Sequence, residues 1–112
     1  MYIYRALVIK VYDGDTITVR VDLGFGVHIV ERIRLYGINT PEVRGPERER
    51  GIKSRDWLRT LILNKEILIK TYKDKKGKYG RYLADVFIEN ETGPVNVNDW
   101  LVKEQLAERK EY

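Results

Sequence analysis

Cysteine is absent from this chain of 112 residues, and serine and histidine occur once each. The absence of cysteine excludes a disulfide framework, a thiolate metal site and a cysteine nucleophile. His28 has no second histidine with which it could form a zinc site, so we expect it to be structural or exposed to solvent. Ser54 falls in a predicted helix with no histidine beside it, which excludes a serine–histidine–acid hydrolase. Several classes of hydrolase and metal site are therefore excluded.

The sequence also has no long apolar segment and no recognisable targeting signal. No window of the sequence is long and apolar enough to span a bilayer, so we expect no membrane partner. The first residues lead directly into a strand-like pattern, without the basic and apolar stretches of a signal peptide. Localisation stays open between the cytoplasm and a secreted form from which a signal has been removed. A glycine-rich phosphate loop is absent as well, since the glycines of residues 24–26 precede a predicted strand rather than a helix.

The composition fits one small globular domain with a moderate positive charge. Hydrophobic residues make up 43% of the chain, and 21 lysines and arginines exceed 17 aspartates and glutamates to give a net charge of +4. A basic domain with a pI near 9.3 is consistent with a polyanionic partner such as nucleic acid. No repeat or linker interrupts the sequence, so we expect residues 1–112 to form a single domain, and we expect a monomer.

Alternation of apolar and polar residues predicts β-strands in the first third of the sequence. Residues 17–22 show this half-buried pattern, and a preceding strand leads into them through an Asp/Gly turn at residues 13–15. A third strand is expected over residues 27–36. Its apolar face is formed by Ile29, Ile33 and Leu35, and its polar face by Arg32 and Arg34.

Helices and further strands follow. Pro41 ends the third strand, because proline removes a backbone donor and fixes φ. A helix is expected between about Glu47 and Leu63, and two strands over residues 67–69 and 83–88, with a polar loop at residues 73–80 between them. The inner side of the helix is formed by Gly51, Ser54, Leu58, Leu61 and Ile62.

The C-terminal helix is expected to begin near Asn98, a good N-cap with Asp99 in the first turn. The predicted order is three strands, a helix, two strands and a helix. This is the order of the OB fold, a five-stranded Greek-key barrel with a helix between strands 3 and 4. The predicted fold class is therefore α+β, mainly β with helices. Function has to be argued from the sites, because a fold alone does not define it.

The first polar motif is the sequence of residues 13–16. Two carboxylates that flank a glycine at a turn place hard oxygen ligands near one point, which suits calcium or magnesium. An Asp-Gly pair is also a common hairpin turn, and Thr16 begins a strand well. Both interpretations stand for the motif taken alone.

The other two motifs combine cations with an acid or an aromatic ring. In residues 34–42 a strand delivers Arg34 and the turn beyond it presents Glu42. Hydrolysis of a phosphodiester requires a positioned water and stabilisation of charge at phosphorus, which these side chains can supply. In residues 78–81 a lysine and an arginine flank a tyrosine, and they can bind a phosphate and stack a base. A solvated surface arginine and a solvated charge run are the alternatives for these two segments.

In this order and with these spacings the motifs resemble the staphylococcal nuclease (thermonuclease) family. The matching segments are residues 12–16, 34–42 and 78–84, followed by residues 97–102 and 106–107 near the end. The resemblance covers nearly the whole chain. It implies a calcium-dependent nuclease on an OB-like barrel that cleaves the 5′ P–O bond of DNA or RNA and leaves 3′-phosphates, with single-stranded nucleic acid preferred.

The resemblance also implies a metal site. Asp15 is similar to the carboxylate calcium ligand of the family, and the backbone carbonyl of Thr40 to a second ligand. Asp13 would be a nearby acid in the same pocket. Asn39 stands where the best-known member has a second aspartate ligand, and its amide oxygen can still coordinate. We therefore expect weaker calcium binding or a shifted metal preference.

The catalytic and substrate-binding roles follow in the same way. Glu42 is similar to the residue that orients or deprotonates the attacking water, and Arg34 and Arg81 to the pair that binds the phosphate. Lys78 and Tyr79 are similar to the residues that bind a terminal phosphate of the substrate. The family's base-stacking tyrosine near the C-terminus aligns with Glu111, which puts substrate affinity in question. A catalytically silent OB module that binds nucleic acid or a protein partner is the alternative function, and Asn39 is the feature that favours it.

Overall fold

The structure, a computed structural model, describes residues 2–76 and 81–111, with the side chains of residues 73–76 outside the description. Within these residues the strands are β1 Tyr2–Asp13, β2 Thr16–Asp22, β3 His28–Leu35, β4 Ile38–Asn39, β5 Glu66–Lys76, β6 Tyr82–Asn90, β7 Gly93–Asn96 and β8 Glu108–Arg109. The helices are α1 Arg48–Ile62, which follows a 3₁₀ turn at Gly45–Glu47, and α2 Val97–Lys103.

The five long strands close into a barrel. Antiparallel pairs join β1 to β2 and β5, β2 to β3, and β5 to β6. A short parallel contact between residues 33–35 of β3 and residues 82–84 of β6 completes the ring. The short β7 extends the sheet beyond β6, and β4 pairs with β8 outside it. The predicted fold class is confirmed, with α1 between the third and fourth barrel strands.

The interior of the barrel follows from the alternation of apolar residues. Branched side chains from every barrel strand and from both helices fill it, which is the environment that favours β-branched residues in strands. The largest fully buried side chains are Val8, Val11, Ile17, Val19, Ile33, Leu35, Ile38, Leu58, Ile62, Ile67, Ile69 and Leu101. The predicted inward face of residues 17–22 is confirmed. In β1 the inward positions change phase at an irregularity between Val8 and Lys10, which leaves Ile9 exposed.

Helix α1 packs across the barrel through its small residues. The predicted helix and its inner side are confirmed, with Leu61 half-buried and the other four residues buried. The Ser54 hydroxyl donates to the carbonyl of Leu106 at 2.7 Å. The Arg59 guanidinium donates to the carbonyl of Val11 at 3.1 Å and 3.2 Å. These bonds fix α1 against β1 and the C-terminal segment.

Two details of the strands differ from the prediction. Ile29 is 41% exposed, because β6 pairs only with residues 33–35 of β3 and leaves the first half of that strand uncovered. Residues 73–76 of the expected loop belong to β5, which continues through Lys76, and residues 77–80 lie outside the described residues. His28 is exposed, as expected. No helix in the described part of the chain is long and apolar enough to cross a membrane.

The start of α2 also differs. Its N-cap is Asn96, whose side chain accepts a hydrogen bond from the backbone N–H of Asp99 at 3.0 Å. Asn98 is buried instead. Its amide accepts from the N–H of Val86 at 3.1 Å and donates to the carbonyl of Tyr36 at 2.9 Å. The residue therefore joins α2 to β6 and to the end of β3, a role that a local capping pattern does not show.

Candidate active site

The turn between β1 and β2 brings two carboxylates against the segment after β4. Gly14 makes this approach possible, because a Cβ atom there would lie 2.7 Å from Cγ2 of Thr40 and 3.0 Å from Cβ of Ser54. Asp15 Oδ2 accepts a hydrogen bond from the N–H of Thr40 at 3.1 Å. The N–H of Asp15 donates to Asp13 Oδ1 at 3.0 Å. The Asp-Gly turn is therefore a hairpin turn and also the wall of a polar site.

Arg34 lies at the centre of this site. Its Nη1 is 2.9 Å from Asp15 Oδ2, and the two side chains are 9% and 8% exposed. Its Nη2 donates to the carbonyl of Ile38 at 3.0 Å and to Oδ1 of Asn39 at 2.6 Å. The alternative of a solvated surface arginine is excluded by this burial. The guanidinium is oriented by several acceptors, so it presents a fixed positive charge.

Burial and charge separate the pKa values of the two aspartates. Burial raises the pKa of Asp13 to about 7, and a hydrogen bond with the neighbouring Asp15 and the charge of that carboxylate add to the shift. Burial acts to raise the pKa of Asp15 as well. The hydrogen bond with Asp13, the charge of Arg34 and the N–H of Thr40 outweigh it and lower that pKa. Asp15 therefore stays ionised to lower pH than Asp13 and carries the permanent negative charge of the site.

Thr16 connects the second arginine to the site, a role that the sequence did not indicate beyond its place after Asp15. It is buried at 5% exposure. Its hydroxyl donates to Asp15 Oδ1 at 3.1 Å and accepts from Arg81 Nη1 at 3.1 Å. Arg81, just before β6, and Arg34 in β3 are thus held near opposite oxygens of one carboxylate.

Glu42 is exposed and lines the same cleft. Its backbone packs closely against α1 at Gly51. A Cβ atom added at Gly51 would lie 2.0 Å from the carbonyl oxygen of Glu42. The N–H of Glu42 lies 3.4 Å from Glu47 Oε1. The helix therefore positions this carboxylate at the rim of the site, and the requirement for glycine at residue 51 has a structural reason.

Six of the eight predicted site residues line one cavity of about 1150 Å³. It gathers the two candidate arginines, the candidate water-activating glutamate and the three candidate metal ligands. These are Arg34, Arg81, Glu42, Asp15, Asn39 and Thr40. Lys78 and Tyr79, the predicted substrate-binding residues, lie outside the described residues. Asp13, Thr16 and the basic side chains of Lys10, Arg32, Arg50 and Lys53 line the cavity as well.

Oxygen atoms of the kinds that bind calcium occur on residues that line this cavity. They belong to the Asp15 carboxylate, the Asn39 amide and the Thr40 backbone. The buried hydroxyl of Thr40 has no hydrogen-bond partner among the described residues, which fits a site that receives a further polar group. In that part of the chain no three Asp, Glu, His or Cys side chains form a metal-binding group. These oxygen ligands are of the kind that binds a hard cation, but only a few of them are carboxylates.

The fold and this cleft define a small barrel protein with an acid–arginine site suited to phosphate chemistry. Residues 32–112 match the family described as staphylococcal nuclease homologue. The chain belongs to this family.

Relatives support the same assignment. The thermonuclease of Staphylococcus hyicus is 34% identical over 108 residues, covering 94% of this chain and 59% of that protein. The thermonuclease of Staphylococcus intermedius is 35% identical over 109 residues, covering 95% and 60%. An uncharacterised protein of Methanocaldococcus jannaschii is 32% identical over 121 residues, covering 89% and 56%. The chain therefore spans less than two thirds of the length of these relatives.

Proposed function

We propose that this protein is a calcium-dependent nuclease that hydrolyses phosphodiester bonds of DNA and RNA and leaves 3′-phosphates and 5′-hydroxyls. The observation that supports the proposal most is the arrangement of Arg34 and Arg81 around the oxygens of Asp15, beside Glu42 in one cleft. A binding module needs a basic surface but not this combination. The names of two relatives, both thermonucleases, support the same activity.

In the proposed reaction Glu42 orients a water molecule and accepts its proton as the water oxygen bonds to phosphorus. The P–O5′ bond breaks with its electron pair on the 5′ oxygen, which takes a proton from solvent water and leaves as a hydroxyl. Arg34 and Arg81 donate hydrogen bonds to the phosphate oxygens and stabilise the charge that develops on them. Asp15, Asn39 and the Thr40 carbonyl would hold calcium, which supplies further charge stabilisation at the phosphate when bound.

The decisive experiment is cleavage of fluorescently labelled single-stranded DNA with calcium titrated and with a chelator control. We expect cleavage that saturates with calcium, stops with the chelator and leaves 3′-phosphate ends. A site variant purified in parallel excludes contaminating nuclease. Binding of the DNA without cleavage at any calcium concentration would overturn the proposal in favour of the silent OB module, the function that Asn39 favours.

Asn39→Asp is expected to tighten calcium binding. Asn39 is exposed at the rim of the cleft, and its amide oxygen accepts a hydrogen bond from Arg34 at 2.6 Å. A carboxylate there adds a negative ligand, and the charge of the ligands is a main determinant of calcium affinity. We expect roughly tenfold tighter binding by isothermal titration calorimetry. Asn64→Asp adds the same charge after α1 and serves as the control. Unchanged affinity in Asn39→Asp would show that residue 39 does not face the cation.

Gly51→Ala is expected to impair cleavage although alanine favours helices. The added Cβ would lie 2.0 Å from the carbonyl oxygen of Glu42, so the segment that carries the proposed base must move. A misplacement of about 1 Å costs about 100-fold in rate, and overpacking costs about 1–3 kcal/mol of stability. The rate on single-stranded DNA and urea unfolding measure the two effects. Thr60→Ala, on the exposed side of α1, is the control. A more stable and fully active Gly51→Ala would contradict the packing argument.

A further inference from the structure

The outer face of β2 and β3 continues away from the cleft as a series of cross-strand rows. The first row contains the site itself, with Thr16 paired to Arg34. In the second row Thr18 pairs with Lys10 on one side and with Arg32 on the other. In the third row Arg20 pairs with Leu7 and Val30. Rows are two residues apart, or about 7 Å along the strands.

Three cations stand on the second and third rows. Lys10, Arg20 and Arg32 are exposed, and Thr18 between the first and last of them is half-buried. Within the part of the chain that the structure describes, none of the three forms an ion pair with an acid. Lys10, Thr18 and Arg32 also line the cavity. The charge is thus continuous with the arginines of the site.

The end of this face is marked by an acid. In the next row Asp22 pairs with His28, and Asp22 Oδ1 accepts from the N–H of Gly24 at 2.8 Å in the hairpin turn. The basic face therefore extends two rows beyond Arg34 and stops. Neighbouring strands are about 5 Å apart, so Lys10 and Arg32 stand about 10 Å from each other across Thr18. Their long side chains can reach one phosphate from both sides.

We propose that Lys10, Arg32 and Arg20 form a binding track for the backbone of single-stranded nucleic acid, with Lys10 and Arg32 on the second phosphate and Arg20 on the third. The inference rests on the proposed function, because it places the scissile phosphate at Arg34. It defines the substrate class as a polynucleotide of at least three phosphates rather than an isolated diester. Recognition through phosphates alone is independent of base sequence.

The track is tested by binding and by kinetics. In a Glu42→Gln background, fluorescence anisotropy of an eight-nucleotide single strand is measured over a range of salt concentrations. Each lost phosphate contact lowers the slope of log affinity against log salt by about 0.7 for single strands. Lys10→Gln with Arg32→Gln is expected to lower it by about 0.7, and Arg20→Gln by about a further 0.7. The affinity for a strand of thymidine nucleotides and for a strand of adenosine nucleotides should fall by the same factor. Lys65→Gln, outside the cleft, is the one-charge control.

Kinetics on the active protein compares a polynucleotide substrate with a substrate that has a single phosphodiester. The triple variant is expected to raise KM roughly tenfold for the octamer, with kcat unchanged. For a dinucleoside monophosphate, whose only phosphate is the scissile one, KM should stay the same. Two results would overturn the track: a salt slope of the triple variant equal to that of Lys65→Gln, or an equal rise in KM for both substrates.

Absence of cleavage by the wild type, together with a reduced salt slope in the triple variant, would overturn the proposed function and leave the track standing. Circular dichroism confirms that each variant is folded.

Discussion

Replacing Glu42 by glutamine is expected to stop cleavage while the nucleic acid still binds. Glutamine keeps the size of the side chain and one acceptor oxygen, but it cannot accept the proton of the attacking water. Loss of a general base lowers rates by about 10²–10⁴-fold. Glu42 is exposed at the rim of the cleft, so the change removes no buried contact, and stability should be unchanged. Single-turnover cleavage and anisotropy with the same labelled strand measure rate and binding separately.

Glu108 provides a matched control for this variant. It is another exposed glutamate that lines the cleft, and it lies on β8. Glu108→Gln makes the same change of charge in the same cavity without touching the proposed base, so we expect the rate to stay near that of the wild type. Equal rates for Glu42→Gln and the wild type would assign the base to another group. Equal losses in both variants would indicate a general effect of charge in the cleft.

Arg34→Met is expected to have the largest effect on stability and a large one on rate. Methionine keeps the buried stem but removes the guanidinium that pairs with Asp15 at 2.9 Å. A buried carboxylate without its partner costs about 3–5 kcal/mol, a large part of the stability of a small domain. Loss of a charge-stabilising donor also lowers cleavage by about 10²–10³-fold. Urea unfolding measures the first effect, and the cleavage rate under native conditions the second.

Arg32→Met is the control for the stability effect, because Arg32 lies two residues away on the same strand but is exposed. Surface changes of this kind alter stability by about 0.5 kcal/mol or less. The double variant Asp15→Asn with Arg34→Met removes both charges and is expected to recover part of the loss. The coupling energy from this cycle should exceed about 1 kcal/mol. A cost for Arg34→Met no larger than that of Arg32→Met would show that the ion pair contributes little.

Most of the fold was predictable, because its determinants are local and periodic. The alternation in residues 17–22 and the helical spacing from Gly51 to Ile62 each depend on a single element, and both predictions are confirmed. The exposure of Ile29 was not predictable in this way, since it depends on how far β6 extends along β3. The inward role of Asn98 depends likewise on partners in β6 and at Tyr36. Long-range pairing decides such positions, and alternation along one strand does not report it.

The candidate site shows the same division. The residue types were predictable from their motifs, and six of the eight predicted site residues line one cavity. The remaining two, Lys78 and Tyr79, lie outside the described residues, and the roles of all eight residues stay predictions. The burial of Arg34 and the bridging hydroxyl of Thr16 were not apparent. Both arise from contacts across strands, where the Asp15 carboxylate contacts Arg34 directly and is linked to Arg81 through the hydroxyl of Thr16.

The parallel contact that closes the barrel has a consequence for the order of folding. It joins residues 33–35 to residues 82–84, and pairs so distant in sequence form only after a large loss of chain entropy. Arg34 lies inside this contact and Arg81 directly before it, so an intermediate that retains only the local hairpins lacks the assembled site. We therefore expect nuclease activity to return in the slowest refolding phase, after the recovery of β-structure seen by circular dichroism. Activity that returned together with the first hairpins would show that the site does not depend on closure.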